Sequence, residues 1–393
     1  LAFCSAFKSF AGGGLFAASG WIHSERLSLS NPALSRWLTV SRSQPLFRPR
    51  MLDLKSQRVD STARGCDLPR LRTALLGALV CGFFALILPL RAEGEPVQTV
   101  RVGFFPNITH AQALVASNMS REGNGWFESR LGTPAKIEWN IYNAGPSAME
   151  AFFTKAIDLS YVGPSPVVNA HVRANGKEVH VLSGAMRGGE ALVVRSEGIL
   201  TTEDLRGKTI ATPQLGNTQD VECRFWLLEH GMNVTLVGGA ARVIPTANPD
   251  MLQLFTQGKL DGAWTVEPWV TRLVNEAGGR IFHCDPNAVT TVLAARSGFL
   301  AENPEVARRF ATANEELTAW MIANPEEARR RIRNELSAIT RREIPQSLVD
   351  EAWTRLHPDT SISVEPFEKF LEKAKKVGFL RAEVNLKNLI WKP

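Results

Sequence analysis

The sequence has no Gly-x-Ser-x-Gly elbow, no His-Glu-x-x-His pair and no Gly-x-x-x-x-Gly-Lys loop. The common local arrangements that activate a serine, seat a catalytic zinc or cradle a nucleotide phosphate are therefore missing. No catalytic set, cofactor site or metal site is expected. Cysteine is scarce as well. Five occur in 393 residues, and only Cys223 and Cys284 lie beyond residue 92. Their spacing fits no zinc pattern. An oxidising compartment would permit a disulfide between them, but two buried free thiols is the preferred reading. Basic charge is also lacking where it would matter. The formal charge of +6 points first to a polyanion, yet residues 1–92 carry 12 Lys+Arg against 4 Asp+Glu. The remainder holds 33 basic and 35 acidic residues. The excess belongs to the leader, so no nucleic-acid partner is expected.

The leader has its own pattern. Arg70 and Arg72 precede an uncharged run from Thr73 to Leu90, followed by Arg91 and Ala92. A positive flank, an apolar stretch and a small residue describe a secretory signal cut near Ala92. The run is almost long enough to span a bilayer, which leaves a retained membrane anchor as the alternative. Cys81 is not read as a lipidation site, because Val80 precedes it and the apolar run continues past it. Residues 1–50 read as a mis-called start without a fold, since Met51 opens a more conventional signal at 51–92.

Beyond the leader one phrase recurs. Pro146, Phe152 and Asp158 are spaced six and six, and so are Pro249, Phe255 and Asp261. Each aspartate is followed by an apolar stretch and another proline, Pro164 or Pro268. A repeat at this separation indicates two similar lobes rather than a solenoid, and two lobes leave a cleft for a small ligand. Strands and helices alternate throughout, which predicts an α/β chain with mostly parallel sheets. The expected division is lobe 1 over 97–192, lobe 2 over 193–290, and a return to lobe 1 with C-terminal helices over 291–393. Caps are expected at Thr202, Asn303 and Asn324, the last two followed by proline in the first turn. The arginines at 329–331 and 333 read as a solvated helix face.

In open α/β sheets ligands sit beyond the carboxyl ends of the strands. The polar turns fall there, and each opens a helix whose first N–H groups are unpaired and carry the positive end of its dipole. An oxyanion fits such a position without a countercharge. The hydroxyls of Thr109, Ser147, Ser165 and Thr218 and the amides of Asn107, Gln214 and Asn217 stand at these starts. Each taken alone also reads as an ordinary N-cap; convergence is what would make them a site. Trp264 is expected to wall the cleft and Trp269 to pack in its lobe. Glu267 either accepts from a ligand amine or caps its helix, and the cap is preferred. His110 reads as a structural partner that is also able to donate to an anion. Arg187 and Glu190 precede the expected hinge strand, with Arg187 the better partner for an oxyanion.

Several stretches, taken together, resemble the solute-binding proteins of nitrate/sulfonate/taurine ABC importers. They are residues 102–111 (VGFFPNITHA), 143–147 (NAGPS), 163–166 (GPSP) after Ile157-Asp158, 213–218 (PQLGNT), 267–269 (EPW) and the closing 389–393 (LIWKP). The likeness covers residues 98–393. It implies a periplasmic-binding fold of the second type, two α/β lobes joined by a two-strand hinge. It further implies a monomer in the periplasm that delivers a small anion to an ABC permease at the inner membrane. The ligand expected is an aliphatic sulfonate or taurine, with nitrate as the other candidate. The same resemblance places the ligand at Asn107, Ser147, Ser165, Gln214, Asn217 and Thr218. A pyrimidine-precursor protein or enzyme of the thiamine pathway shares the fold and is the alternative. Its cysteine-rich signature has no counterpart in this chain.

Overall fold

A computed structural model describes residues 97–381 and 385–392; the leader, with its expected cut site and Cys81, lies outside them. Strand β1 (Gln98–Phe104) ends in a single 3-10 turn (Ile108–His110) that runs into α1 (Ala111–Arg121). Then come β2 (Ala135–Ile141), α2 (Gly145–Phe153), β3 (Leu159–Val162), α3 (Pro164–Arg173) and β4 (Val179–Gly188). The chain continues through β5 (Glu190–Arg195), β6 (Thr209–Thr212), α4 (Thr218–Glu229) and a short hairpin of β7 (Val234–Thr235) and β8 (Gly238–Gly239). Next are β9 (Arg242–Pro245), α5 (Asn248–Thr256), β10 (Gly262–Val266), α6 (Trp269–Ala277) and β11 (Gly279–His283). The last part is β12 (Val289–Arg296), α7 (Ser297–Glu302), α8 (Pro304–Ala323), α9 (Pro325–Thr340), α10 (Gln346–Trp353), β13 (Leu356–Pro358) and α11 (Glu365–Lys376).

These strands form two main sheets, ordered β13-β4-β12-β3-β1-β2 and β11-β5-β10-β6-β9. Apart from the added edge strand β13, the two are the same arrangement. In each, a central strand (β3 or β10) pairs parallel with one neighbour (β1 or β6) and antiparallel with the other (β12 or β5). Apolar clusters cover the first sheet with side chains of α1, α8 and α9 in one and of α2, α3 and α11 in the other. For the second sheet, α4 contributes to one cluster and α5 with α6 to the other. That explains why strands such as LSYV and GAWTV are buried along their whole length.

The repeated phrase marks equivalent places. Pro146 and Pro249 lie in the first turns of α2 and α5, where a missing N–H costs nothing. Phe152 and Phe255 are buried at the next-to-last position of those helices. Asp158 and Asp261 precede the central strands, and each exchanges bonds with the strand beside it. The Arg101 amide donates to the Asp158 carboxylate at 3.0 Å, and the Asp158 amide donates to the Arg101 carbonyl at 2.8 Å. Thr209 and Asp261 repeat this at 2.8 and 2.9 Å. The aspartate thus starts the parallel pairing in both lobes.

The chain passes between the sheets twice, at Gly188-Gly189 and in the segment from His283 to Val289. Gly188 and Gly189 have φ of +67° and +73°, a left-handed pair that side chains would strain. The first crossing therefore precedes residue 192. All of β5 pairs with β10 and β11 and belongs to the second sheet. Three expected caps differ as well. Asp204 accepts from the Leu200 and Thr201 amides, in place of a Thr202 cap. Asn303 accepts from Gln98, and Asn324 donates to the Trp320 carbonyl, so neither caps the helix it precedes. The cysteines are unbonded, with Cys223 buried and Cys284 exposed, which corrects the expectation that both are buried. Among the described residues no helix is long and apolar enough to cross a membrane.

Candidate functional site

Four helix starts meet between the lobes. The turn after β1 brings Asn107, Thr109 and His110, and the turn after β2 brings Asn143, Ala144 and Gly145. Gly163 and Pro166 come from the start of α3, Asn217, Thr218 and Gln219 from the start of α4, and Thr290 from β12. Together they line a narrow cleft of about 20 Å³, room for roughly one water-sized group. A larger head group therefore requires the lobes to part about the hinge before they close on it.

The helices approach closely because glycine stands at the contact. A Cβ on Gly163 would lie 2.2 Å from Thr218 Oγ1, and one on Gly145 would lie 2.2 Å from Pro166. The Ser165 amide donates to Thr218 Oγ1 at 3.4 Å, and Ser165 Oγ donates to the Gly216 carbonyl at 3.3 Å. Farther along, Trp269 Nε1 donates to Asn107 Oδ1 at 3.1 Å, and the Ile108 amide donates to the Glu267 carbonyl at 2.9 Å. All four bonds join one lobe to the other.

Among the described residues that line it, the cleft holds no lysine or arginine. Its one titratable ring, His110, is pushed down to about 3 by burial and is neutral at physiological pH. His110 Nδ1 accepts from the Phe105 amide at 3.4 Å, which leaves Nε2 as the N–H donor. Ala144 and Gly163, which precede α2 and α3, offer no side-chain cap. The first-turn amides of Gly145, Ser147, Thr218 and Gln219 have no protein acceptor among the described residues. Thr218 Oγ1 already accepts from Ser165, so its own proton remains to be donated. The arrangement is rich in donors, carries no formal positive charge, and lies at the positive ends of several helices.

The α4 turn is held rigidly from behind. Asp220 accepts from the Gly216 amide at 2.8 Å and from Thr212 Oγ1 and Arg224 Nε, both at 3.0 Å. Arg224 is itself buried and donates to the Thr235 and Val243 carbonyls. Asn217 completes the turn by capping α4 through the Asp220 amide at 2.9 Å.

Of the residues singled out in the sequence, Asn107, Thr109, Asn217 and Thr218 line this cleft. Ser165 lies at its edge as an interlobe bond. Ser147 presents its amide at the start of α2, while its hydroxyl turns back to the Ala144 carbonyl at 2.7 Å. Gln214 is half-buried, holding the Asn217 amide through its carbonyl. Arg187, Glu190 and Trp264 line a different cavity. Arg187 is already engaged by Asp359 at 2.5 Å, so the oxyanion partner expected there is bound to a carboxylate instead. Glu267 is fully buried, pairs with Arg355 at 2.6 Å and accepts from the Thr271 amide at 3.1 Å. This is the capping role, with no face toward the cleft. Sequence reasoning passed over Gln219 and Thr290. Gln219 directly follows Thr218 in the first turn of α4, which was a usable signal; Thr290 gave none.

The NMT1-like family model matches residues 93–336, more than half of the chain. The taurine-binding periplasmic protein of Escherichia coli K12 is 27% identical over 199 residues, 49% of this chain and 59% of that protein. The chain spans about three-fifths of the length of the curated relatives it matches first. The alkanesulfonate-binding protein SsuA of Xanthomonas axonopodis pv. citri bound to MOPS superposes with a TM-score of 0.62 at 18% identity. That match covers 76% of this chain and 99% of the other. The periplasmic nitrate-binding protein NrtA of Synechocystis PCC 6803 gives 0.60 at 16% identity, covering 74% and 84%. The architecture is thus the two-lobed periplasmic-binding fold, and the chain belongs to the NMT1-like family.

Proposed function

We propose that the protein is an exported solute-binding protein that captures a small oxyanion in the interlobe cleft and hands it to an ABC importer. An aliphatic sulfonate or taurine is the preferred solute, with nitrate as the second candidate. The observation that carries this reading is the meeting of four helix starts, three of them without side-chain caps, in a cleft with no cation among the described residues that line it. A helix start contributes about 0.3–1 kcal/mol to an anion, and up to about 2 when partly buried. Several of them with the Thr109 and Thr218 hydroxyls reach micromolar binding, about −8 kcal/mol. Closure follows because only the shut form presents both sets of donors to one anion. The cleft offers no activated nucleophile or acid–base pair, which supports binding rather than turnover.

The test is a thermal-shift and calorimetric panel of taurine, ethanesulfonate, nitrate and bicarbonate, together with neutral ethanol and ethylene glycol. A ligand that binds only the folded protein raises its Tm. At least one oxyanion should do so, the neutral compounds should not, and Thr218→Val should weaken the effect about tenfold. If no oxyanion binds, or if Thr218→Val binds unchanged, the reading fails.

A further inference from the structure

A larger cavity, about 680 Å³, opens beside the cleft between α4, the second hinge crossing and α11. Its wall contains Trp226 and Trp264, whose rings meet edge-on with centroids 6.1 Å apart. Glu190, at the first residue of β5, faces it from the hinge. The cations of this cavity are already matched. Lys373 lies 2.8 Å from both oxygens of Glu222, Lys369 is 2.7 Å from Glu365, and Arg187 is 2.5 Å from Asp359. The Lys373 charge acts on Glu190 only from a distance, and among the described residues Glu190 forms no ion pair. Its one described bond comes from Gln219 Nε2 at 2.6 Å, and it is 5% exposed.

We propose that this cavity is a second ligand site that takes an organic cation, a protonated amine or quaternary nitrogen on a ring-sized apolar body. Glu190 supplies the countercharge, and the two indoles supply apolar surface and cation–π attraction. The volume lies within the range of small-molecule pockets. Burial, with the Glu222 charge second, pushes the Glu190 carboxyl up to about 8. An arriving cation therefore takes the place of a proton. The charges that act on Glu190 are Glu222 on α4, Lys373 on α11 and Asp285 in the crossing, and Arg187, Glu229, His230, His283, Glu365 and Lys369 also line the cavity. The Lys373 charge is held by Glu222, and burial keeps His283 below its ordinary value. The site is separate from the oxyanion cleft, with Gln219 standing between them, so it does not depend on the oxyanion reading.

The experiment is a calorimetric titration of the full exported chain with phenethylammonium chloride and with the neutral 2-phenylethanol at pH 6.5, 7.5 and 8.5. The ammonium should bind with release of up to one proton, and its affinity should rise about 25-fold from pH 6.5 to 8.5. The alcohol should not bind. Glu190→Gln should weaken the ammonium at least tenfold and abolish its pH dependence. Trp226→Ala, checked by circular dichroism, should also weaken it and leave oxyanion binding unchanged. The proposal is overturned if the alcohol binds as well as the ammonium. It is also overturned if both variants bind as the parent does, or if no ammonium binds at pH 8.5. Oxyanion titrations on the same samples separate this outcome from a failure of the cleft reading.

Discussion

Replacing Gly163 with alanine should hold the lobes apart. Gly163 has φ −72° and ψ 155°, a conformation alanine adopts without strain, so lobe 1 should fold unchanged. The new methyl would lie 2.2 Å from Thr218 Oγ1 and 3.2 Å from Thr218 Cβ, both on the facing lobe. An ordinary carbon–oxygen contact needs about 1 Å more. Either the lobes separate by that amount, or Thr218 rotates and gives up its bond to the Ser165 amide. Overpacking of this kind costs about 1–3 kcal/mol, which is about 5- to 150-fold in Kd for a ligand bound only by the closed form. The assay is calorimetry with the oxyanion that the panel selects, beside thermal unfolding without ligand. Affinity should fall within that range while the ligand-free Tm stays within a few degrees. Unchanged affinity in Gly163→Ala would refute the claim that the α3 and α4 starts close on one anion.

Other consequences concern charge. Burial favours a neutral Asp158, but bonds from Arg101 and Arg296 outweigh it and hold the carboxyl below its usual value. Its contribution is present above the unfolded pKa of about 3.9 and is lost as pH falls through the lower folded value. Asp158→Ala should cost about 3–5 kcal/mol at pH 7, seen as a lower denaturant midpoint, and should flatten the acid limb. For Glu190 the sign is opposite. A folded pKa raised to about 8 gives stability that is full below about 4.5 and lost as pH rises through 8. Glu190→Gln should flatten the fall in Tm between pH 6 and 9. Arg224→Ala would leave Asp220 without its cation and should lower stability by about 3–5 kcal/mol, with oxyanion affinity falling as the α4 turn loosens. Because His110 stays neutral, oxyanion affinity should show no step near pH 6.5; such a step in the parent, lost in His110→Gln, would contradict the assignment.

The α/β class and the paired lobes were legible because the signals are local. Proline in a first helical turn, phenylalanine at the next-to-last helical position, and aspartate ahead of a parallel strand each act within their own segment. The polar turns were legible for the same reason, since they follow strands and open helices. What was hidden is long-range. Arg187 reads as a free cation until Asp359, 172 residues away, is brought to it. Glu267 reads as a ligand candidate until Arg355, 88 residues on, neutralises it. Trp264 is a cleft wall by spacing, but it packs with Leu192, Cys223 and Leu227 on the α4 side and faces the other cavity. Ser147 shows a further limit. Its hydroxyl is satisfied one turn back by Ala144, and the side chain is not part of the cleft lining.

The most direct test of the account is an amide-resolved NMR titration with ethanesulfonate. Hydrogen bonds from helix starts to an anion should move the Gly145, Ser147, Thr218 and Gln219 amide signals most, together and saturably, with no comparable change at any arginine or lysine side chain. Shifts that saturate around a cationic side chain elsewhere, while these four amides stay still, would contradict it.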